Sequence, residues 1–393
     1  MRIGVDATSW VNRRGYGRFV RNAVGRLVEL DRDNAYVLYI DEPAAADADL
    51  PPGAEARRVP VGEAQSRATA ASSRRSLRDL IRMARAVRGS EIDAFLFPSV
   101  YSYFPVLNVP TVVGVHDLIA ETIPELTLPT RRARGLWRLK ERMAVRRSRR
   151  LFTVSETSRR LLAKRFGIEL DRLAVVPEAP DPVFSPRSEA RVAAELKQMG
   201  IDPSEGYLLY AGGISPHKSI ETLVDAYGTL HRSRAGLPRL VLVGDLDEDP
   251  YLSAGPAIRR RVADLRLQEQ VLLTGFVPDE TLACLYSAAT VVAIPSLAEG
   301  FGLPPVEAAA CGAPTVLSDI AAHRETLGDA ALYFPPGDAP ALSRRLETVL
   351  DDPELRRSLG ERGQRAVAGL TWEAAAERLG DLVHEAATLP RGA

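Results

Sequence analysis

The 393-residue chain is poor in cysteine and histidine and carries no excess of either charge. It has two Cys and five His, and 51 Lys and Arg balance 51 Asp and Glu. Each absence excludes something. Cys284 and Cys311 both fall inside helix-like patterns, which reads as two buried, reduced, apolar side chains in a cytosolic protein rather than a disulfide frame. No His or Cys cluster has metal-ligand spacing, so no metal is expected. A neutral total gives no electrostatic footprint for a nucleic acid. No apolar run approaches the roughly 20 residues of a membrane span, and the chain opens directly on a strand-like run, Arg2 to Asp6, without a leader pattern. The expected location is therefore cytoplasmic.

What is present is alternation. The length suits two domains, each able to bury its own core. Residues 1–185 hold 31 basic and 22 acidic side chains, and the remainder holds 20 and 29, so a basic half precedes an acidic one. Strand-like runs are expected at Ile3–Asp6, Tyr36–Ile40, Ala94–Phe97, Thr111–Val115, Leu151–Val154 and Leu173–Val176. A second series follows at Tyr207–Tyr210, Leu240–Val243, Val271–Leu273, Val291–Ile294, Thr315–Leu317 and Ala331–Phe334. Helical spacing separates them, which predicts an α/β protein with parallel sheets. The first helix runs from Gly17 to Leu30 with Phe19, Val20, Ala23, Val24, Leu27 and Leu30 inward. Residues 41–76, rich in Ala, Pro, Ser and Arg, read as irregular. Pro177, Pro180, Pro182 and Pro186 mark a linker. The expected domains are 1–185 and 186–370, with 371–393 as a closing helix.

Ser296 to Val316, SLAEGFGLPPVEAAACGAPTV, is the stretch around which the second half is organised. A buried-strand run stops at Pro295. Gly300 and Gly302 then let backbone N–H groups approach a ligand closely. Pro304 and Pro305 suit a first helical turn, where the free N–H groups and the helix dipole favour a phosphate. Glu299 and Glu307 flank that site as acceptors for ligand hydroxyls. Lys218 follows the strand end Ala211-Gly212-Gly213 and can place an ammonium on a diphosphate. His116-Asp117 ends a strand of the first half at its ligand-binding edge. Gly15-Tyr16-Gly17, with Asp41, imitates a dinucleotide fingerprint, but Val20 stands where Gly or Ala belongs and eight residues separate the strand from Gly15. Asp245-Leu246-Asp247 has the Asp-x-Asp form of some metal sites and is read here as a solvated acidic loop.

These residues resemble glycosyltransferase family 4, retaining enzymes also grouped as glycosyl transferases group 1. Glu299-Gly-Phe-Gly-Leu-Pro-Pro-Val-Glu307 is similar to that family's Glu-x7-Glu element. Lys218, Gly275-Phe276-Val277 and Trp372-Glu373 fall in the family's order. The first half agrees more loosely through Arg2–Asp6, Gly15–Gly17 and His116-Asp117. The resemblance implies a GT-B fold, two Rossmann-like doubly wound domains facing a central cleft. The first would bind acceptor, the second nucleotide sugar, and the final helix would cross back to the first. It implies that Glu307 receives ribose hydroxyls, Glu299 holds the transferred sugar, and backbone N–H groups at Gly300, Phe301, Gly302 and Leu303 meet sugar or phosphate oxygens. Lys218 would neutralise the departing diphosphate, Val277 would meet the base through its backbone, and His116 would lie beside the sugar. Gly15, Gly17 and Gly213 complete the donor set. The reaction implied is metal-independent, cofactor-free transfer of a hexose-type sugar from a UDP- or GDP-sugar to a hydroxyl acceptor. Two departures stand out: Gly213 occupies a position where the family often has arginine, leaving His217 or Arg18 to compensate, and Pro177-Glu178-Ala179 replaces a common Asn-Gly pair.

The rivals are a nucleotide-sugar epimerase or phosphorylase on the same fold, an NAD-dependent dehydrogenase, and a non-catalytic sugar-nucleotide-binding protein. Arg131 to Arg150 carries ten basic side chains and one acid. Read as a helix with Leu136, Leu139 and Met143 in one apolar stripe, it is either an ordinary amphipathic helix or an attachment to the anionic inner face of a membrane.

Overall fold

The computed structural model describes residues 1–12, 15–46, 48–62, 76–128, 130–246 and 253–389. The chain forms two compact units. One comprises Met1–Glu178 together with Thr371–Ala393, and the other Ala179–Leu370.

The first unit is built on a seven-stranded, all-parallel sheet in the order β3-β2-β1-β4-β5-β6-β7. The strands are β1 Arg2–Asp6, β2 Ala35–Asp41, β3 Ala54–Val59, β4 Ala94–Phe97, β5 Thr111–Gly114, β6 Arg150–Thr153 and β7 Leu173–Val175. Central strands such as β4 (AFLF) are buried at every residue, as expected where helices cover both faces. The chain runs outward in opposite directions from β1 and β4, which are paired neighbours, so the crevice at their carboxyl ends is the ligand position of such sheets.

Three expectations are corrected in this unit. Residues 41–76 are not irregular throughout: Glu42–Ala45 is a short helix, and Ala54–Val59 is an edge strand paired with β2. Its sequence, AEARRV, looks unlike a strand because an edge with exposed residues needs no apolar alternation. Residues 63–75 of that segment lie outside the described residues. Next, the first helix is interrupted. Gly15–Phe19 is α-helical, Val20–Val24 forms a π-turn and Gly25–Leu30 resumes the α-helix. The wider turn rotates the register, so Val28 is buried and Leu30 is 47% exposed, contrary to the uninterrupted spacing.

The third correction concerns the basic helix, which spans Arg131–Arg147 and stops at Ser148, where the backbone becomes extended. Its inward face is Trp137, Glu141, Ala144 and Val145, while Leu136 and Leu139 are each 56% exposed. Leu136 and Leu139 of the apolar stripe thus face away from the core, while Met143 is partly buried and packs against it. Arg149 and Arg150 leave the basic face altogether. Arg149 donates to the carbonyls of Ala386 (3.0 Å) and Leu389 (2.5 Å), and Arg150 Nε lies 2.9 Å from Glu385. Both serve the closing helix, Trp372–Thr388. Local signals elsewhere act as expected: Ser155 Oγ caps the helix Glu156–Phe166 through Ser158 N–H, and Gly167 ends it at φ 63°.

The second unit has six parallel strands in the order β10-β9-β8-β11-β12-β13. They are β8 Tyr207–Ala211, β9 Arg239–Val243, β10 Val271–Gly275, β11 Val291–Ile294, β12 Thr315–Ser318 and β13 Leu332–Phe334. Here the direction of winding reverses between β8 and β11. Lys218 follows one of these strands and Glu299 the other. Cys284 and Cys311 are both buried and unpaired with each other.

Candidate active site

At the β8/β11 reversal two loops meet. The first leaves β8 through Gly212 and Gly213 and makes a tight 3-10 turn, Pro216–Lys218. The second leaves β11, passes Ser296 to Phe301 and enters the helix Leu303–Ala310. Leu297 N–H donates to the carbonyl of His217 at 2.8 Å and ties the loops together. Across them Lys218 Nζ donates to both Glu299 oxygens, at 2.6 and 2.8 Å, with both side chains largely buried.

Burial alone pushes the Glu299 carboxyl up. The Lys218 charge, the nearby His323 and His217 and the hydrogen bond from Lys218 outweigh that and hold it at about 2. Glu299 is therefore ionised and acceptor-only at any physiological pH. An ammonium has three N–H groups, so Lys218 keeps one for a further anion.

The helix start is shaped by glycine. Gly302 is the N-cap at φ 97°, a conformation costly for other residues, and Pro304 and Pro305 occupy the first turn. Phe301, Leu303 and Glu307 are buried, and Gly300 is buried with them. Phe301 and Leu303 anchor the loop through their side chains, which leaves backbone as its chemical surface. Gly213 is open: a Cβ there would meet nothing within 4 Å, and its carbonyl accepts from Tyr210 Oη at 2.7 Å. Val277 lies elsewhere on the same edge, after β10, with Phe276 53% exposed before it.

Sequence reasoning missed His323, which has no local signal because the fold brings it in from the helix after β12. Its ring is fully buried, with Nδ1 2.9 Å from the carbonyl of Ser318. Nδ1 therefore carries the proton. Nε2 is left as an acceptor with no partner among the described residues, beside the loop: a Cβ on Gly302 would stand 3.3 Å from His323 Cδ2. Burial drives this imidazole toward its neutral form despite the nearby Glu299 charge.

In the first unit, Gly17 permits a close approach that nothing larger could share. A Cβ there would sit 2.0 Å from the carbonyl oxygen of Asn12, where the loop after β1 folds back on the helix start. Gly15 is exposed at that start. Arg21 fastens the same loop by donating to the carbonyls of Trp10 and Asn12, each at 2.6 Å. His116, after β5, has both nitrogens engaged. Nε2 is 2.8 Å from the carbonyl of Pro98, and Nδ1 is 3.5 Å from Glu178 Oε1. A carbonyl only accepts, so Nε2 carries a proton and donates it to Pro98. The carboxylate facing Nδ1 comes from Glu178, the position where the linker departs from the family's usual pair.

The dinucleotide reading finds no support in the geometry. Asp41 is fully buried rather than displayed for a ribose, and the loop from β1 to the first helix is long rather than tight. Among the described residues no group of three or more His, Cys, Asp or Glu could hold a metal. Asp245 is partly buried, and Asp247 lies outside the described residues.

Comparison with known proteins gives matches along most of the chain. The family described as Glycosyltransferase Family 4 matches residues 13–183, and Glycosyl transferases group 1 matches residues 192–366. The O-antigen chain mannosyltransferase B of Escherichia coli is 30% identical over 272 residues, 69% of either chain. A D-inositol 3-phosphate glycosyltransferase of Nocardia farcinica is 30% identical over 242 residues, covering 61% of this chain and 53% of that one. Among solved structures, a sucrose-phosphate synthase of Thermosynechococcus elongatus superposes with a TM-score of 0.78 at 21% identity, covering 98% of each chain. The Anabaena protein HepE, in complex with UDP and glucose, gives a TM-score of 0.74 at 17% identity over 97% of this chain and 98% of that one. At those identities the likeness is one of fold.

Proposed function

Because the chain belongs to the family 4, group 1 glycosyltransferases and has their GT-B fold, we propose that it transfers a hexose-type sugar from a UDP- or GDP-sugar to a hydroxyl acceptor, with retention and without a metal. The observation that carries this reading is the Lys218–Glu299 pair beside a glycine-rich helix start. The two groups are opposite in charge and serve opposite ends of one ligand. Lys218 directs its remaining N–H to the diphosphate, where negative charge grows as the glycosidic bond breaks. Backbone N–H groups from Gly300 to Leu303, with the helix dipole, hold the same phosphates or the sugar. Glu299, kept ionised, accepts from sugar hydroxyls, and Glu307 accepts from the ribose. Val277 offers its backbone to the base.

Gly213 provides room for the diphosphate but no cation of its own, and Lys218 supplies charge there. His116, with Nε2–H held on the Pro98 carbonyl and Nδ1 facing Glu178, acts as a fixed polar group beside the sugar. The acceptor hydroxyl then attacks from the face that the diphosphate leaves, and its proton passes to the departing phosphate oxygen. Gly15 and Gly17 shape the start of the helix after β1. The exposed Leu136 and Leu139, on a helix whose outer face is arginine-rich, are the contact we assign to an anionic membrane surface.

The test uses thermal shift with UDP-, GDP-, ADP- and dTDP-sugars, then turnover with the stabilising donor and NMR of the product's anomeric centre. Lys218→Ala is expected to lose about 100-fold or more in kcat, and Glu299→Gln to lose transfer while keeping a nucleoside-diphosphate shift. Wild-type turnover by Lys218→Ala, or an inverted product, would refute the reading. Melting of each variant without ligand separates lost chemistry from lost folding.

A further inference from the structure

Three neighbouring strands of the first sheet converge on His116 and on a carboxyl group to which the reaction above gives no part. His116 follows β5, Thr153 ends β6 and Glu178 follows β7, all at the carboxyl edge. The pairing continues past the strand ends. Val115 N–H donates to the Phe152 carbonyl and Val176 N–H to the Thr153 carbonyl, both at 2.8 Å. Thr153 Oγ1 donates to the His116 carbonyl at 3.4 Å. The backbones that carry His116 and Glu178 are thereby held in register with the strand between them.

The His116 ring is enclosed by four groups. Phe19 meets it at 4.7 Å and 76°, and the Phe152 ring centre lies 6.2 Å away. Nε2 lies 2.8 Å from the Pro98 carbonyl oxygen. That oxygen comes close to β5 because Gly114 has no side chain, since a Cβ there would stand 2.5 Å from it. The fourth group is Glu178, whose Oε1 lies 3.5 Å from Nδ1, with each of the two side chains only 8% exposed.

A carboxyl group buried to that degree needs a partner. A bare carboxylate against a bare Nδ1 lone pair would set two acceptors facing each other. One proton therefore lies in the gap, whichever of the two atoms carries it. It holds Nδ1 to Glu178 as the Nε2 proton holds the ring to Pro98, and turning the ring over would lose both contacts at once. A separation of 3.5 Å is long for a hydrogen bond, and is of the kind that substrate shortens in catalytic sites. Glu178 is also the last residue of the first unit before the chain enters the second at Ala179.

We propose that Glu178 is a positioning residue for His116, fixing the orientation of the ring and, through it, the rate of sugar transfer. This rests on the glycosyl-transfer reading above and adds the residue on which its His116 depends. The rival account is a carboxyl group that only packs the start of the linker. The two differ in one respect. A positioning residue loses its effect on rate once the group it positions is removed, whereas a packing residue acts independently of that group.

The test uses the full chain, with UDP-glucose and GDP-mannose as donors, methyl α-D-mannoside or water as acceptor, and release of nucleoside diphosphate as the readout. Glu178→Ala is expected to lower kcat about tenfold and to change donor KM by less than about twofold. Glu178→Gln keeps a polar group of the same length at Nδ1 and is expected to stay within about threefold of the wild type. In a His116→Asn background, Glu178→Ala is expected to lower kcat no further. Nitrogen NMR of protein with isotope-labelled histidine, with His116 assigned by its loss in His116→Asn, gives a readout that does not need turnover. The Nδ1 resonance of His116 is expected to move in Glu178→Ala.

Wild-type kcat in Glu178→Ala would overturn the proposal. An equal fall with and without His116 would overturn it as well and leave Glu178 a packing residue. So would an Nδ1 resonance that Glu178→Ala leaves unmoved. If the wild type turns over neither donor, the result counts against the glycosyl-transfer reading, and the Nδ1 resonance decides whether Glu178 holds the ring. The same resonance decides if His116→Asn is too slow to measure. If Glu178→Ala fails to fold, Glu178→Met, similar in length and apolar, replaces it in every arm.

Discussion

Two buried glutamates show how strongly surroundings decide the state of a single residue. Glu299 is ionised because Lys218 faces it. Glu141 faces no such partner: burial first, then the charge and hydrogen bonding of Glu121, push it up to about 9, with Arg165 opposing only weakly. The native protein therefore keeps a proton on Glu141 at neutral pH, whereas the unfolded chain releases it near the ordinary value of 4.5. Since the native state binds more protons, stability falls as pH rises from about 4.5 toward 9 and is unaffected by this group below that window. Glu141→Gln, which remains neutral, is expected to raise the urea midpoint of the first unit at pH 7 and to leave it unchanged at pH 4. Equal midpoints for the two proteins at pH 7 would show that Glu141 is already ionised there. Nothing in the sequence marks this residue, since one acid among ten basic side chains reads as a solvated ion pair.

At the scale of elements, legibility followed burial. Strands buried on both faces, such as β4 and β11, appear in the sequence as unbroken apolar runs. The glycine-rich helix start is legible too, because Gly302 and the prolines after it have few other uses. The edge strand β3 was hidden by its polar residues, and the π-turn at Val20–Val24 broke the spacing used to choose the inward face. His323 and Glu178 reach their sites only through the fold. The basic helix ends at Arg147, short of Arg150, and buries Trp137 beside its apolar stripe. With Trp137 inward, Leu136 and Leu139 face solvent among exposed Arg132, Arg138, Arg142 and Arg146. A face that combines apolar tips with cations binds anionic lipid through both. The chain is expected to sediment with phosphatidylglycerol vesicles, less so at high salt, and not with phosphatidylcholine vesicles. Leu136→Ser with Leu139→Ser should weaken that binding several-fold without changing the melting temperature, as both side chains already face water. Unchanged sedimentation of the double variant would leave this face as a solvated surface. Among the described residues no helix is long and apolar enough to cross a membrane.

For the molecule as a whole, the last helix is the element whose place in sequence and place in structure differ most. Trp372–Thr388 follows the second unit in the chain but packs within the first. Its buried residues are Trp372, Ala375, Ala376, Leu379, Leu382, Val383 and Ala386. The Trp372 ring meets Phe19 edge-on at 6.0 Å, and Leu27 reaches within 3.2 Å of where a Cβ on Gly380 would stand. Glu373 pairs with Arg26, while Arg149 and Arg150 take the helix's far end. Four large apolar side chains at about 1.5–3 kcal/mol each amount to roughly 10 kcal/mol, comparable with the whole stability of a domain. The surface ion pairs add little beside that. Ending the chain after Leu370 should therefore unfold the first unit while sparing the second, which keeps its β8 and β11 loops and the Lys218–Glu299 pair. Calorimetry of the shortened chain is expected to show one cooperative transition, raised by the nucleoside diphosphate that stabilises the full chain. Hydrogen exchange should show protection retained in β8–β13 and lost in β1–β7. Protection retained in β1–β7 would mean that the first unit holds together without its closing helix, and loss across both sheets would mean that the two units fold only as one.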